Sequence, residues 1–304
     1  MRLRKPFTAN TTMVFIFFMI FSSFCNAVGE EITRILPEYK WDKALILAEQ
    51  FIQFGCYDEA ITEVKRFLFF HGGEKESVYA HNRIAELYVF LNDWEKALDH
   101  LTQSIRLNSD EYEKNMAKLE RAKIILATGD VKLAEKELLF LLHSGTTETE
   151  KKQSAFFLAV CYIYNGQWDN AKDMLYQYFD THTSFSDEQK ADILALLHKA
   201  GKEREKSPLL ASLLSALLPG SGQIYAGDIL NGFHAFLINA GTGFLLAFTI
   251  IEGQYADAAM IFLFLLNRFY TGNIFHAERL ARKYNMKKRK KYAEAILNKL
   301  AGKE

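Results

Sequence analysis

Apolar positions along this chain follow two different rules. From Trp41 to about residue 200 they recur at helical spacing among many charges, which predicts short amphipathic helices. From Leu209 onward they run together: ten residues Leu209–Leu218, then 23 mostly apolar positions Ile229–Ile251, then Ala258–Phe275. Ten residues make a helix of about 15 Å, too short for a hydrocarbon core of roughly 30 Å, whereas 23 suffice. No stretch alternates as a strand would, so the expected class is all-α.

The amphipathic region repeats itself. Ala60, Ala97, Ala134 and Ala171 follow one another at intervals of 37 residues, inside GCYDEAI, NDWEKAL, GDVKLAE and GQWDNAK. Each segment has a turn residue (Gly55, Asn92, Gly129, Gly166) and, two later, Tyr57, Trp94, Val131 or Trp168. Upstream, Ala48, Ala85, Ala122 and Ala159 are each followed three later by Phe51, Tyr88, Ile125 or Tyr162. Such a period predicts two antiparallel helices per unit, with small residues where backbones touch and large ones between. A further helix, Asp187–Lys199, is expected to cap the open end.

This pattern resembles the tetratricopeptide repeat, in four copies over roughly residues 38–185, and implies a helical-repeat solenoid that binds a protein or peptide on the inward face of each unit's first helix. Carried onto this sequence, the groove positions are Leu45, Glu49 and Ile52; Tyr79, Asn82, Glu86 and Phe90; Leu119, Lys123 and Leu126; and Phe156, Val160 and Tyr164. This face reads as apolar and aromatic, suited to side-chain anchors. The alternative is that it packs against another segment of the same chain.

Four glycines and prolines in nine positions (Pro219, Gly220, Gly222, Gly227) break the pattern between the short apolar run and the long one. Gln223 and Tyr225 are expected to act there as a hydrogen-bonding pair that satisfies exposed backbone. In the long run Ala235, Asn239, Gly243 and Ala247 form a small face on which Ala258–Phe275 should dock, because helices in lipid associate by close backbone approach and cross-helix hydrogen bonds. Arg268 inside that second helix calls for snorkelling to a headgroup, or for pairing with Asp257 or Asp228.

The string PGSGQIYAG, Asn239, and Tyr270-Thr-Gly272-Asn273 resemble a bacterial membrane module over about residues 207–285. In that family, largely uncharacterised, such a hinge precedes a two-helix hairpin. The resemblance implies architecture and a membrane setting, most naturally the bacterial inner membrane, and brings no cofactor.

Charge sharpens the division. The chain is neutral overall, with 37 basic and 37 acidic residues, but residues 276–304 carry ten basic against three acidic and residues 29–206 sum to −8. An acidic repeat region excludes nucleic acid as its partner, and the basic tail suits anionic lipid headgroups. Residues 1–27, a basic start followed by Met13–Phe21, read as a signal peptide cleaved after Ala27, with an uncleaved anchor as the alternative. Either places the repeats outside the cytoplasm. The expected domains are therefore 1–27, 28–206, 207–275 and a basic helical tail, 276–304. Three crossings, counting the strained 208–218 region, would return the tail to the cytoplasm, and two would not.

Catalysis is not expected. The glycines around Gln223 lack the lysine and strand of a phosphate loop, Ser221 sits in no nucleophile elbow, and the eight histidines show no metal spacing. The three cysteines, Cys25, Cys56 and Cys161, form no disulfide framework. Two readings follow: a membrane-anchored scaffold, or an oligomeric transporter subunit in which Asn239 and Arg268 line the assembly and the repeats gate it.

Overall fold

A computed structural model describes residues 42–180 and 185–302, which form helices joined by short turns and connections, with no strand among them. The signal-peptide reading of 1–27, and Cys25 with it, lies outside the described residues. Eight helices come in pairs: α1 (Lys43–Gln53) with α2 (Tyr57–Phe70), α3 (Glu74–Phe90) with α4 (Trp94–Leu107), α5 (Glu111–Ala127) with α6 (Val131–Ser144), and α7 (Glu148–Asn165) with α8 (Trp168–Phe179). Each packs against its neighbours in sequence, and α5 also touches α7. Then come α9 (Asp187–Lys202), α10 (Pro208–Leu217), α11 (Ser221–Ala226), α12 (Ile229–Ile251) and α13 (Tyr255–Leu300), which contains a π-helical stretch at Ile261–Leu266.

The turn inside every pair is one device used four times. Gly55, Asn92, Gly129 and Gly166 all have positive φ, and Asn92 is the one non-glycine in that region among the described residues. At each, two backbone bonds of 2.8–3.2 Å close the helix end: Gly55 N–H to the Ile52 carbonyl and Cys56 N–H to Phe51, and likewise Asn92 to Val89 and Asp93 to Tyr88, Gly129 to Leu126 and Asp130 to Ile125, Gly166 to Ile163 and Gln167 to Tyr162. A left-handed residue is what lets both orphan carbonyls be satisfied. Asp93 and Asp130 then cap the following helix by accepting from Lys96 N–H and Leu133 N–H. The alanines at the 37-residue interval, Ala60, Ala97, Ala134 and Ala171, have no solvent exposure at all. They mark where helices meet too closely for a larger side chain.

The described chain divides into two compact units. One comprises the residues up to Gly201 together with those from Ala293, and the other is Lys202–Tyr292. This redraws the expected boundaries. The linker 202–206 and most of the basic tail belong with the apolar helices, while the last turns of α13 belong with the helix pairs. The reason is local chemistry. Ala293, Ile296, Leu297 and Leu300 are buried in one apolar cluster with Phe156, Val160, Ile193 and Leu197, and Lys299 pairs with Asp192 at 2.8 Å. Helix α9 thus supplies two of the residues that receive the tail, Ile193 and Leu197.

In the second unit α12 and α13 are long and apolar enough to cross a membrane. Their large side chains point outward: Phe233, Leu237, Phe244 and Ile251 on α12, and Phe262, Leu263 and Phe264 on α13, are exposed.

Candidate functional site

Two constellations stand out. The first lies on the leading helices of the pairs. Two rows of residues, each in the 37-residue register, run side by side: Ile46, Arg83, Glu120 and Phe157, and Glu49, Glu86, Lys123 and Val160. Members 34 apart meet across neighbouring pairs, and members three apart meet along one helix. Arg83 bonds Glu49 on α1 and Glu86 on its own helix, both at 2.6 Å. Lys123 bonds Glu120 at 2.5 Å and lies over the Phe157 ring, 5.0 Å from its centre. The result is a charged ladder across α1, α3 and α5 that ends against an aromatic ring on α7. Burial pushes the Glu86 carboxyl above its usual range against the pull of Arg83, and the Glu120 carboxylate adds to the rise.

This corrects the expectation of an apolar face with few charges. Leu45, Leu119, Leu126, Phe156 and Val160 are buried in the cores, and Tyr79 is nearly so. Phe90 is exposed and stacks on Tyr57 at 5.1 Å. Ile52 packs half-buried against the first core. Tyr164 sits beside the tail: burial, then Cys161 and then Glu294 push its phenol up to about 12. At this last pair, therefore, the face meets another segment of the same chain. Lys123 is buried too, and what remains of the expected groove is Glu49, Asn82 and Glu86. The leading helices also hold buried polar atoms with no partner, among them Asn82 Oδ1, Arg83 Nε, Asn115 Nδ2 and Gln153 Oε1. Each such atom left unpaired is costly, about 1–3 kcal/mol. Sequence reasoning misses Arg83 and Glu120, although their 34-residue offsets from Glu49 and Glu86 are the signal.

The second constellation is the hinge. Gly227 N–H and Asp228 N–H bond the Ile224 and Gln223 carbonyls, both at 2.9 Å, and Asp228 accepts from Asn231 N–H, so the device of the helix pairs returns here. Around it lies a buried polar knot. Gln223, fully buried, donates from Nε2 to Asn273 Oδ1 (2.5 Å) and to the Asn273 carbonyl (3.1 Å), and accepts from Ser215 Oγ (2.8 Å). Gly220 N–H donates to Asn273 Oδ1 and Gly222 N–H to Ser215 Oγ. Gln223 and Tyr225 each meet backbone, as expected: Gln223 at the Asn273 carbonyl and Tyr225 by accepting from Ser207 N–H at 3.0 Å. With Ser215 and Asn273 around it, the buried Gln223 amide has its oxygen and its nitrogen both met.

Glycine here permits contact. A Cβ on Gly222 would stand 1.9 Å from the Ala211 carbonyl oxygen, and one on Gly220 would stand 2.0 Å from that of Gly232. Pro219 precedes the turn, and Gly272 is exposed with open space around it. On α12 the buried face runs through Gly232, Asn239, Thr242 and Thr249; of the expected Ala235, Asn239, Gly243 and Ala247 it keeps Asn239, while Ala247 is exposed and Gly243 open. The buried positions keep a near-heptad step, as helices crossing at a shallow angle require. Asn239 donates to its own helix at Ala235, and its Oδ1 is buried without a partner. Arg268 is exposed, and no ion pair joins it to Asp257 or Asp228 among the described residues.

Neither constellation sets a nucleophile beside a base. One titratable pair lies apart from both. His81 and His100 meet Nδ1 to Nδ1 at 2.9 Å, with Tyr88 stacked on His100, and burial first, then His81, lowers the His100 pKa to about 4. Burial pushes the Cys161 thiol up to about 12, which keeps it inert. No group of three or more His, Cys, Asp or Glu placed to hold a metal occurs among the described residues. What the ladder can do is bind, and what the knot can do is hold helices. No known family model matches the chain, and no curated protein matches it significantly.

Proposed function

We propose that the chain is a membrane-anchored scaffold: tetratricopeptide-like repeats outside the cytoplasm that hold a protein or peptide partner, carried by a hinge-and-hairpin membrane module. The observation that carries this reading is the ladder Glu49–Arg83–Glu86–Glu120–Lys123, with Asn82 Oδ1 and Arg83 Nε buried and unpaired beside it. Unmet donors and acceptors beside a row whose carboxylates, Glu49, Glu86 and Glu120, stay partly exposed suit an extended peptide, whose backbone amides and side chains would meet them. The repeated turn and the alanine register support the repeat reading, and the outward apolar faces of α12 and α13 support the membrane setting.

A photo-crosslinking residue at Asn82 of the full chain in native membranes tests the partner claim. A discrete adduct is expected at Asn82, lost on Arg83→Glu and not formed from the exposed Glu95. Equal labelling from Glu95, or no adduct from Asn82, would defeat it.

A further inference from the structure

Helix α10 is about 15 Å long, half of a hydrocarbon core, and its surroundings say how it meets the bilayer. It lies antiparallel to α13. At its start Lys206 N–H donates to Asn285 Oδ1 (2.9 Å), and Asn285 Nδ2 donates back to the Lys206 carbonyl (2.8 Å). Midway Ala211 is buried with Ala277 and Ala281. At its end Asn273 Nδ2 donates to the Ser215 carbonyl and Tyr270 Oη to the Ala216 carbonyl (2.6 Å). Ser221 Oγ serves the Leu214 and Leu218 carbonyls, both at 2.7 Å. A helix that ends in water leaves its last carbonyls to water. Here side chains meet the carbonyls of Leu214, Ser215 and Ala216, as backbone at a helix end must be met where hydrocarbon surrounds it. The chain then turns back through α11 to Asp228, whose charge is stabilised by its bonds from Asn231 and then by His276 and Lys283 of α13.

The outer face of the same segment is apolar: Leu209, Leu210, Leu213, Leu217, Leu218 and Ile224 are all exposed. Beside its start, α13 presents Arg279, Arg282, Lys283 and Lys287 to the outside. The linker is tied to that basic stretch as well, by Glu203 with Lys288 and Glu205 with Arg289.

We propose that Pro208–Ala226 is a wedge that enters and leaves one leaflet of a phospholipid bilayer, its leucines among the acyl chains and the neighbouring basic residues among anionic headgroups. The chain then crosses twice, through α12 and α13, and the linker and the basic part of α13 lie on one side. On this proposal 208–218 is no third crossing, because a crossing α10 would separate Lys206 from Asn285 by the bilayer. The proposal rests on the membrane setting given above.

The test uses the full chain with Cys25, Cys56 and Cys161 replaced, carrying single cysteines by Arg204→Cys, Gln254→Cys or Lys291→Cys and treated with an impermeant thiol reagent on intact and on opened membranes. Positions 204 and 291 are expected to react from the same side and 254 from the other. Labelling of 204 and 291 from opposite sides, or of all three from one, overturns it. A Leu217→Trp variant should be quenched more by lipid brominated near the carbonyl end of the chain than near its terminus; the reverse order also overturns it. Carbonate washing separates the two failures. Release of the full chain refutes the membrane setting, whereas retention with the wrong labelling pattern refutes the wedge alone.

Discussion

The turn at Gly129-Asp130 and the turn at Gly227-Asp228 share a design: a left-handed glycine, two backbone bonds to the preceding helix, and an aspartate that caps the next one. What holds the flanking helices together differs. Around Gly129 the contact is dry, with Ala122, Ala134, Leu138 and Leu141 all buried. Around Gly227 it is polar, with Ser215, Gln223 and Asn273 closing on one another and on bare backbone. Where water surrounds a fold, excluding apolar area is enough to drive helices together. Where the surroundings are themselves apolar, that drive disappears and packing and hydrogen bonds must replace it. One backbone device therefore joins helices held by two different means, and the polar one is what the proposed membrane setting calls for.

The knot offers the sharpest way to break this contrast. Gly222→Ala sets a methyl against the Ala211 carbonyl, and Asn273→Leu orphans Gln223, Gly220 N–H and the Ser215 carbonyl; each should destabilise the second unit by about 3–5 kcal/mol. Protease resistance of the hairpin in detergent should fall while the thermal transition of the helix pairs stays put. Next in size, Ala134→Leu overfills a site with no free space, and a loss of about 1–3 kcal/mol should appear in the helix-pair transition alone. Should either variant move both transitions equally, the two units are not held by separate means.

The ladder allows a finer cut. Arg83→Ala leaves Glu49 and Glu86 facing each other without a cation and should lower helix-pair stability by about 1–2 kcal/mol at pH 7. The Glu86 carboxyl is already held above its usual range, so acid should relieve part of that loss by protonating it. Denaturant melts at pH 7 and pH 5 would show whether the gap to wild type narrows.

Smallest is the histidine pair. The folded His100 pKa, about 4, lies below its unfolded value, so between about pH 6.5 and 4 the unfolded chain binds the extra proton. Stability of the helix pairs should therefore fall with pH across that window and level off beneath it. After allowance for partial exposure, the drop is on the order of 1 kcal/mol. His100→Gln should flatten the slope, and an unchanged slope would place the acid sensitivity elsewhere.

Most of the helices, their turns and their small contact positions are legible in the chain itself, because spacing and left-handed residues act within a few positions. Gly55, Asn92, Gly129 and Gly166 adopt the backbone that their register implies, and the alanines are buried as that register requires. The face of the leading helices is not legible in the same way, because a lone helix shows positions that its neighbours go on to cover. Leu119 and Val160 look available on one helix and are covered once α5 and α7 pack.

By itself, then, the sequence determined a row of paired helices, a broken short apolar run and two helices long and apolar enough to cross a membrane. Tertiary structure alone decided that Gln223 meets Asn273, that Arg83 bridges Glu49 and Glu86, that Asn285 clasps Lys206, and that the last turns of α13 join the helix-pair core. Local periodicity encodes which way a backbone runs. Which of several equally polar or apolar partners a side chain meets, 34, 50 or 79 residues away, depends on helices that are adjacent only after folding.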